Sequence, residues 1–291
     1  MKSAAFTYHR PSTVAEALAL LAEHADDAKI LAGGQSLLPM MGLRLARPAH
    51  LIDIGGLADE LGAIDAGPDG VRIGALVRHA EAEVDEGIAR HAPLVAAAMP
   101  HVGHRAIRTR GTVVGSIAHA DPAAEMPAVC LALDATMVVA STEGRREVAA
   151  ADFFDGYLTT AVADHELVVE VAFPAWPSSS GAALVELSRR HGDYALVGLA
   201  CRIDVTDGFV TGAALSFLGV DSVPVRVGDA ERSLVGRPPG EEAFADAAEI
   251  VSDRLSPPSD IHATAAYRRH AAGVLTRRGL AEAASTIGVP A

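Results

Sequence analysis

The sequence predicts an α+β protein, and the order of its elements carries that prediction. Residues 6–56 alternate short apolar strands with helical patterns at the spacing of a β-α-β unit. Three long strand patterns follow one another after residue 182, and two helical patterns come after them. Strands followed by helices, rather than strict alternation, are typical of the α+β class. A chain of 291 residues corresponds to two or three folded units.

The first unit is predicted over about residues 1–56. Residues 6–10 form a short edge strand that Pro11 stops, and Thr13 and Glu16 have the spacing of a capping box, which begins a helix that ends near His24. A strand, a glycine-rich loop, a short helix cut by Pro39 and a second strand complete the unit. The two strands are predicted at residues 29–32 and 51–54.

The second unit is predicted over residues 57–176. Its strands lie near residues 61–65, 71–74, 137–140 and 167–173, and its main helices at residues 93–101 and 124–133. Residues 174–181 are rich in Pro, Ser and Gly and are interpreted as a linker.

The C-terminal domain is predicted over residues 177–291. It has three antiparallel strands followed by two helices, and Asp207-Gly208 is a strong hairpin signal between the second and third strands. The predicted strands are 183–190, 195–205 and 209–220, and the predicted helices are 241–255 and 260–284. The basic residues Arg268, Arg269, Arg277 and Arg278 on the last helix are expected to be solvated or at a subunit contact.

Composition limits the partners of the chain. Its formal net charge is −13, so nucleic acid and anionic membranes are repelled at long range. The two cysteines, Cys130 and Cys201, lie in apolar surroundings and are interpreted as reduced, buried thiols of a cytoplasmic protein, with a disulfide as the alternative. Two thiols cannot hold an iron–sulfur cluster. No signal peptide and no transmembrane segment are expected.

Two glycine-containing stretches are the candidate ligand-binding elements. Residues 32–36 read Ala-Gly-Gly-Gln-Ser after an apolar strand, and residues 111–121 combine two glycines with Thr112 and Ser116. Glycines let consecutive backbone N–H groups point into one concavity, which suits phosphate. Each stretch taken alone is also compatible with an ordinary turn. Together they indicate one long ligand that carries two phosphates.

Other sites have weaker support in the sequence. There is no P-loop, no G-x-G-x-x-G and no G-x-S-x-G string, so a P-loop nucleotidase, a Rossmann site and a hydrolase elbow are disfavoured. His101 and His104 lack further ligands at metal-binding spacing. Asp121 and Glu125 are equally compatible with the start of a helix and with contact to a ligand.

Five sequence strings carry a resemblance to a known family. The chain resembles the FAD-binding medium subunit of molybdenum hydroxylases, the group that contains aerobic carbon monoxide dehydrogenase and xanthine dehydrogenase. The likeness runs through the whole chain in the same order. The matching strings are residues 32–39, 107–113, 115–125, 190–195 and 267–270.

The resemblance implies a fold and a cofactor. Residues 1–176 would form the two-lobed FAD-binding domain of the vanillyl-alcohol-oxidase type, and residues 177–291 the C-terminal domain of carbon monoxide dehydrogenase-type flavoproteins. The FAD pyrophosphate would lie between the two glycine stretches. Glu125 would reach ribityl or ribose hydroxyls, Leu167 and Val168 would pack near the flavin, and Tyr194 would shield one face of its ring.

The cofactor-binding residues implied in this way come from five segments. No catalytic side chain and no metal ligand is expected on this chain. The implied residues are Leu31, Ala32, Gly33, Gly34, Gln35, Ser36, Leu37, Val102, Thr112, Val113, Val114, Gly115, Ser116, Asp121, Glu125, Leu167, Val168 and Tyr194.

Two residues depart from the family pattern. Val114 stands where relatives usually have a glycine, so the backbone there must keep a negative φ or carry strain. Glu186 stands where relatives often have lysine, which removes an expected flavin contact.

The implied function is electron transfer. Substrate would be hydroxylated at a molybdopterin cofactor on a large subunit, iron–sulfur clusters on a small subunit would carry electrons to FAD on this chain, and FAD would pass them to quinone, NAD or dioxygen. The assembly would be a dimer of heterotrimers. The alternatives are a self-sufficient flavin oxidoreductase of the same fold and a non-catalytic nucleotide-binding module.

Overall fold

The computed structural model describes residues 2–287, and it confirms the predicted α+β class. Its N-terminal part is a small three-stranded sheet with one helix packed on it and a second helix after the glycine loop. The strands are β1 (Thr7–His9), β2 (Ala28–Leu31) and β3 (His50–Asp53), and the helices are α1 (Val14–His24) and α2 (Leu37–Gly42). The sheet is parallel with the order β1-β3-β2, so the predicted edge strand lies at an edge.

Helix α1 begins as predicted but its cap differs in detail. The hydroxyl of Thr13 accepts a hydrogen bond from the amide of Glu16 at 3.1 Å. The Glu16 carboxylate, however, accepts from the amide and hydroxyl of Ser12 rather than from the amide of Thr13. The prediction that Pro39 cuts helix α2 is wrong. Pro39 lies in the first turn, where a helix needs no backbone donor.

Replacing Thr13 with Ala is expected to lower the free energy of unfolding by about 1 kcal/mol, because one amide of the first turn of α1 loses its acceptor. Urea unfolding of the two proteins measures the difference. Thr13→Ser keeps the acceptor and serves as the control. Equal destabilisation by Ser and Ala would mean that the methyl group of Thr13, and not its hydroxyl, stabilises the helix start.

The second lobe is built on an antiparallel sheet of five strands in the order β4-β5-β10-β6-β7. The sequence predicted four of these strands and missed β7, which is mostly exposed and has little apolar patterning. A two-stranded hairpin lies beside this sheet. The strands are β4 (Ile64–Gly67), β5 (Gly70–Gly74), β6 (Thr136–Ser141), β7 (Gly144–Ala149), β8 (Phe154–Gly156), β9 (Thr159–Thr160) and β10 (Leu167–Pro174).

Eight short helices surround that sheet. They are α3 (Ala58–Leu61), α4 (His79–Ala82), α5 (Glu86–His91), α6 (Pro93–Ala98), α7 (Arg105–Arg108), α8 (Val113–His119), α9 (Glu125–Ala132) and α10 (Ala150–Phe153). Short 3-10 turns cover Ala25–Asp27 and Met99–His101.

The second glycine-containing stretch is helical, which corrects the prediction of a loop that follows a strand. Residues 113–119 form α8, and α7 precedes them instead of a strand. The stretch Val113-Val114-Gly115-Ser116-Ile117 has three buried apolar residues at helical spacing, and a single Gly does not prevent a helix. The two helices are joined by residues 109–112. These four residues have no regular structure apart from a single β-bridge between Thr112 and Arg78.

The C-terminal part packs helices against one antiparallel sheet. Its strands are β11 (Ser180–Leu187), β12 (Val197–Thr206), β13 (Phe209–Leu218) and β14 (Val225–Arg226), in that order, so the sheet has one strand more than predicted. Both Asp207 and Gly208 have positive φ, 54° and 81°, as the predicted tight hairpin requires. The helices are α11 (Gly228–Leu234), α12 (Glu241–Arg254) and α13 (Ala265–Ser285).

The basic residues of α13 are not uniformly solvated, so the prediction for Arg268 is wrong. The residue is only 5% exposed. The guanidinium donates to the carboxylate of Asp260 at 2.6 Å and to the carbonyl oxygens of Leu196 and Gly219. Arg268 therefore ties α13 to the ends of β12 and β13.

One continuous core joins the two lobes to the C-terminal sheet. It contains α9 and the five-stranded sheet of the second lobe together with apolar residues of the C-terminal strands, such as Leu184, Ala200 and Leu218. A second core lies between the C-terminal sheet and helices α11 to α13. Ala195, which directly follows the residue 190–194 turn, belongs to this shared core.

Candidate functional site

A cleft of about 600 Å³ lies where the two lobes and the C-terminal part meet. Its walls come from the loop after β2, the start of α8, the start of α9, the segment before β10 and the residue 192–194 turn. The loop after β2 and Ile54 lie at the carboxyl ends of two parallel strands, a position where α/β units commonly bind ligands. The volume is within the usual range for cofactor sites.

The two glycine-containing stretches are in direct contact in this cleft. A Cβ atom on Gly33 would lie 2.4 Å from the carbonyl oxygen of Arg110 and 2.7 Å from the Cα atom of Gly111. Only a residue without a side chain permits this approach. The next residue, Gly34, has a φ of +71°, which a glycine adopts without strain. Glycine is therefore required at position 33 by the close approach of the second stretch, and it is favoured at position 34 by the positive φ.

The first loop presents free backbone donors. In the described part of the chain, no carbonyl or side chain accepts a hydrogen bond from the amides of Gly33, Gly34, Gln35 or Ser36. All four residues line the cleft. Consecutive unpaired amides at a turn are suited to binding an anion.

The second stretch uses some of its donors internally. Thr112 caps α8, and its hydroxyl accepts from the amide of Gly115 at 3.1 Å. The amide of Val113 donates to the carbonyl of Val77, which anchors the helix start to the turn before α4. The amide of Val114 has no acceptor among residues 2–287. This stretch therefore offers fewer free amides than its glycines suggested.

Most of the residues implied by the resemblance surround the cleft. Of the eighteen, sixteen line it, whereas Leu31 and Val113 do not. Leu31 lies in β2 and accepts a hydrogen bond from Ile54 through its carbonyl, and Val113 is fully buried in the core. The sixteen are Ala32, Gly33, Gly34, Gln35, Ser36, Leu37, Val102, Thr112, Val114, Gly115, Ser116, Asp121, Glu125, Leu167, Val168 and Tyr194.

One wall of the cleft consists of residues that were not predicted from the sequence. It runs from Leu158 to Glu166. The Arg146 guanidinium donates to both oxygens of Glu166, at 2.7 and 2.6 Å, and so fixes this segment. Lys29 of β2 lies 3.8 Å from the carboxylate of Asp164 and links the first lobe to the wall. The segment has no glycine, and its position depends on long-range pairing.

His79 is a further cleft residue that was not predicted from the sequence. It lines the cleft behind Gly111, its side chain is 3% exposed, and neither ring nitrogen has a hydrogen-bond partner in the described part of the chain. Burial lowers its pKa to about 4, so the ring is neutral at pH 7. In the sequence, nothing distinguishes this histidine, the first residue of α4, from a core residue.

A buried acidic group lies at the start of α9. The side chain of Glu125 is 6% exposed, and this burial raises its pKa to about 7. The value of about 7 also includes an increase from the carboxylates of Glu186 and Asp121 and a decrease from its own backbone amide and from His101. Glu125 therefore holds a proton for part of the time at neutral pH. In this state it can donate as well as accept a hydrogen bond.

Glu186 is the partner of His101. The distance between His101 Nδ1 and Glu186 Oε1 is 3.2 Å, and this hydrogen bond raises the pKa of His101. The second oxygen, Oε2, is buried without a partner among residues 2–287. The pair connects the second lobe to β11. His104 packs instead against Gly192 of the residue 190–194 turn.

Tyr194 projects from that turn and is 64% exposed. It lines the same cleft as the two glycine stretches. Partial enclosure raises its pKa, as do the carboxylates of Asp121 and Glu125. A neutral phenol ring on the wall of a cleft is suited to packing against a flat ligand.

The departure at Val114 is accommodated without strain. Val114 is the second residue of α8 and does not have a positive φ, so no glycine is needed there. Its side chain is 2% exposed and packs into the core.

Models of two known families match the chain in sequence. Residues 4–176 match the FAD binding domain in molybdopterin dehydrogenase. Residues 182–283 match the CO dehydrogenase flavoprotein C-terminal domain. In residues 2–287, no helix has both the length and the apolar character that a bilayer span requires.

Curated relatives match the chain over nearly its full length. The caffeine dehydrogenase subunit beta of Pseudomonas sp. (strain CBB1) is 39% identical, over 99% of this chain and 97% of the relative. The nicotine 6-hydroxylase medium subunit of Paenarthrobacter nicotinovorans is 39% identical, over 97% and 99%. The carbon monoxide dehydrogenase medium chain of Afipia carboxidovorans is 34% identical, over 96% of each.

Solved structures agree with these matches. A carbon monoxide dehydrogenase chain from Hydrogenophaga pseudoflava has a TM-score of 0.95 and 35% identity, over 99% of this chain and 100% of that chain. A quinoline 2-oxidoreductase chain from Pseudomonas putida 86 has a TM-score of 0.93 and 37% identity, with the same coverage. The protein belongs to the FAD-binding medium subunits of the molybdenum hydroxylase family of oxidoreductases.

Proposed function

We propose that this cleft binds FAD in an extended form, with the diphosphate between the two glycine stretches and the flavin toward Tyr194. The observation that carries the proposal is the contact of Gly33 with Arg110 and Gly111. It brings the free amides after β2 and the start of α8 to one side of the cleft. Two donor groups at this separation support a ligand with two adjacent phosphates.

The diphosphate end would be held by backbone rather than by charged side chains. The chain carries a net charge of −13, and among the described residues the amides of residues 33–36 and of Val114 are unpaired donors that line the cleft. Hydrogen bonds to a charged acceptor contribute about 1.5 to 3 kcal/mol each. His79, behind Gly111, is a neutral donor within the same wall.

The flavin end would be enclosed by side chains from two parts of the chain. Leu167 and Val168 are 5% exposed and line the cleft with apolar side chains, and Tyr194 lines it as well. Glu125 and Asp121 reach the same cleft and are suited to hydroxyl groups, which both donate and accept. When bound, FAD supplies the redox chemistry, and the protein positions and tunes it.

The partner subunits follow from the relatives. The relatives are named medium subunits or chains of larger complexes, which implies that this chain has partners too. We place molybdopterin on a large subunit and the iron–sulfur clusters on a small one, in a dimer of heterotrimers. Both cysteines of this chain are buried and unpaired, so neither is available as a cluster ligand. Such thiols also fit a cytoplasmic location.

The domain boundaries belong to the same proposal. We place the FAD-binding domain at residues 1–176, with lobes at about 1–56 and 57–176, and the C-terminal domain at 177–291. The irregular residues between β10 and β11 support the division between the two domains. Limited proteolysis is expected to cut first within residues 175–179.

Replacing Tyr194 with Ala tests the flavin end of the site. We expect bound FAD to become more fluorescent, because a stacked phenol quenches flavin emission, and FAD affinity to fall about twofold to tenfold. Tyr157→Ala is the matched control, since Tyr157 is 61% exposed but does not line the cleft.

Reconstitution of the chain with FAD tests the proposal as a whole. The full-length chain is mixed with FAD, separated from free cofactor, and its visible spectrum is recorded. A wild-type chain that retains no flavin would overturn the proposed function. ADP binding as tightly as FAD, with no spectral effect of Tyr194→Ala, would indicate a nucleotide-binding module instead.

A further inference from the structure

Three histidines that do not line the cleft meet on the first lobe. His9 ends β1, His24 ends α1 and His50 begins β3. One ring nitrogen from each residue lies within 4.8 Å of the other two. The chain has twelve histidines, and this is the group among residues 2–287 whose side chains could share a metal ion.

The sheet register explains why the three rings converge. Thr7 pairs with His50 and His9 pairs with Ile52 in the parallel ladder, so the side chains of His9 and His50 lie on one face of the sheet, two positions apart. Helix α1 covers β3 on this side, and its last residue places the third ring there. The convergence is thus built from three elements and does not depend on a mobile loop.

The contacts within the cluster leave nitrogen atoms available. His9 Nε2 and His50 Nδ1 are 2.9 Å apart, and the rings of His24 and His50 stack with centroids 3.6 Å apart. The nearest carboxylate is that of Glu23, 4.0 Å from His24 Nε2. No other hydrogen bond to these three rings occurs in the described part of the chain.

We propose that His9, His24 and His50 form a binding site for a transition-metal dication such as Zn²⁺. Imidazole nitrogen is a preferred ligand of Zn²⁺, Cu²⁺ and Ni²⁺, and three histidines with one open position are a common ligand set. Zn–N bonds of about 2.0 to 2.1 Å place two ligand nitrogens at most about 4 Å apart. In the structure the three ligand nitrogens lie within 4.8 Å of one another, which is slightly wider than this limit. To bind one ion, the stacked rings of His24 and His50 must turn toward a common point.

The site would hold the edge strand and the helix to the sheet. All three residues are half-buried, so an ion can enter, and Glu23, whose side chain is 70% exposed, can supply a fourth ligand. The cluster lies at the amino ends of β2 and β3, whereas the glycine loop lies at their carboxyl ends. None of the three histidines lines the cleft of the proposed FAD site.

Zinc titration of the untagged, FAD-loaded, full-length chain tests the site. By equilibrium dialysis we expect one Zn²⁺ per chain in the wild type, and binding weaker by at least about tenfold in His24→Asn and in His50→Gln, each of which removes one ligand. His262→Ala, at an exposed histidine of the loop before α13, should bind like the wild type. Equal binding in all four proteins, or none, would overturn the proposal.

A second measurement covers the case in which a variant does not fold. Cu²⁺ bound to the wild type is examined by electron paramagnetic resonance, which reports the number of nitrogen ligands. Three nitrogens are expected. A spectrum with one nitrogen, or with oxygen ligands alone, would contradict the three-histidine site regardless of how the variants behave.

Discussion

Gly33→Ala is expected to weaken FAD binding by the full-length chain by at least about tenfold. The added methyl group would lie 2.4 Å from the carbonyl oxygen of Arg110 and 2.7 Å from the Cα atom of Gly111, so the two glycine stretches must separate. Loss of one or two hydrogen bonds to a charged phosphate, at about 1.5 to 3 kcal/mol each, weakens binding by about tenfold to more than a thousandfold. Fluorescence titration with FAD measures the change.

Gly67→Ala is the matched control for this substitution. A Cβ at Gly67 meets no atom within 4 Å, and Gly67 does not line the cleft. The FAD affinity of the Gly67→Ala protein should equal that of the wild type. Far-UV circular dichroism shows whether Gly33→Ala is folded. A folded Gly33→Ala protein with unchanged FAD affinity would mean that contact between the two stretches is not required for binding.

Glu125→Gln is expected to remove a pH-dependent destabilisation of the fold. Burial of Glu125 raises the pKa of its carboxyl from 4.5 to about 7 in the folded protein. At pH below 4.5 the group is protonated in both states, so it contributes no penalty. Between pH 4.5 and 7 the unfolded chain loses the proton first, and stability falls. Above pH 7 the full penalty of about 3 kcal/mol is present.

Gln has nearly the shape of protonated Glu and stays neutral at every pH. The difference in unfolding free energy, Glu125→Gln minus wild type, should therefore increase by about 2 to 3 kcal/mol between pH 5 and pH 8. Urea unfolding of both proteins at each pH measures it. His101, Glu186 and Asp121 act on the same group and are present in both proteins, so the difference isolates Glu125. Parallel stability curves would contradict the raised pKa.

Local patterns identified many of the secondary-structure elements. The capping residue Thr13 begins α1, and Asp207-Gly208 forms the tight turn between β12 and β13. These features are determined within a few residues of the chain, because side-chain caps and positive φ angles are local requirements. The exposed strand β7 has no apolar alternation, so the sequence carried no signal for it.

Long-range contacts decided which groups face the cleft. The second glycine stretch was expected to be a loop, yet tertiary packing buries Val113, Val114 and Ile117 and makes it the start of a helix. The wall at residues 158–166 and the unpartnered ring of His79 have no local signature. Their positions depend on an ion pair with Arg146 and on the approach of Gly111.

The sequence by itself determined the α+β class and, through five ordered strings, the family, because turn chemistry, hydrophobic periodicity and motif order are written along the chain. Only the tertiary structure decided that Gly33 touches Gly111, that Glu125 and Glu186 are buried close to one another, and that His9, His24 and His50 meet. These contacts join residues far apart in sequence, and distance and burial, which set their chemistry, exist only after the chain has packed.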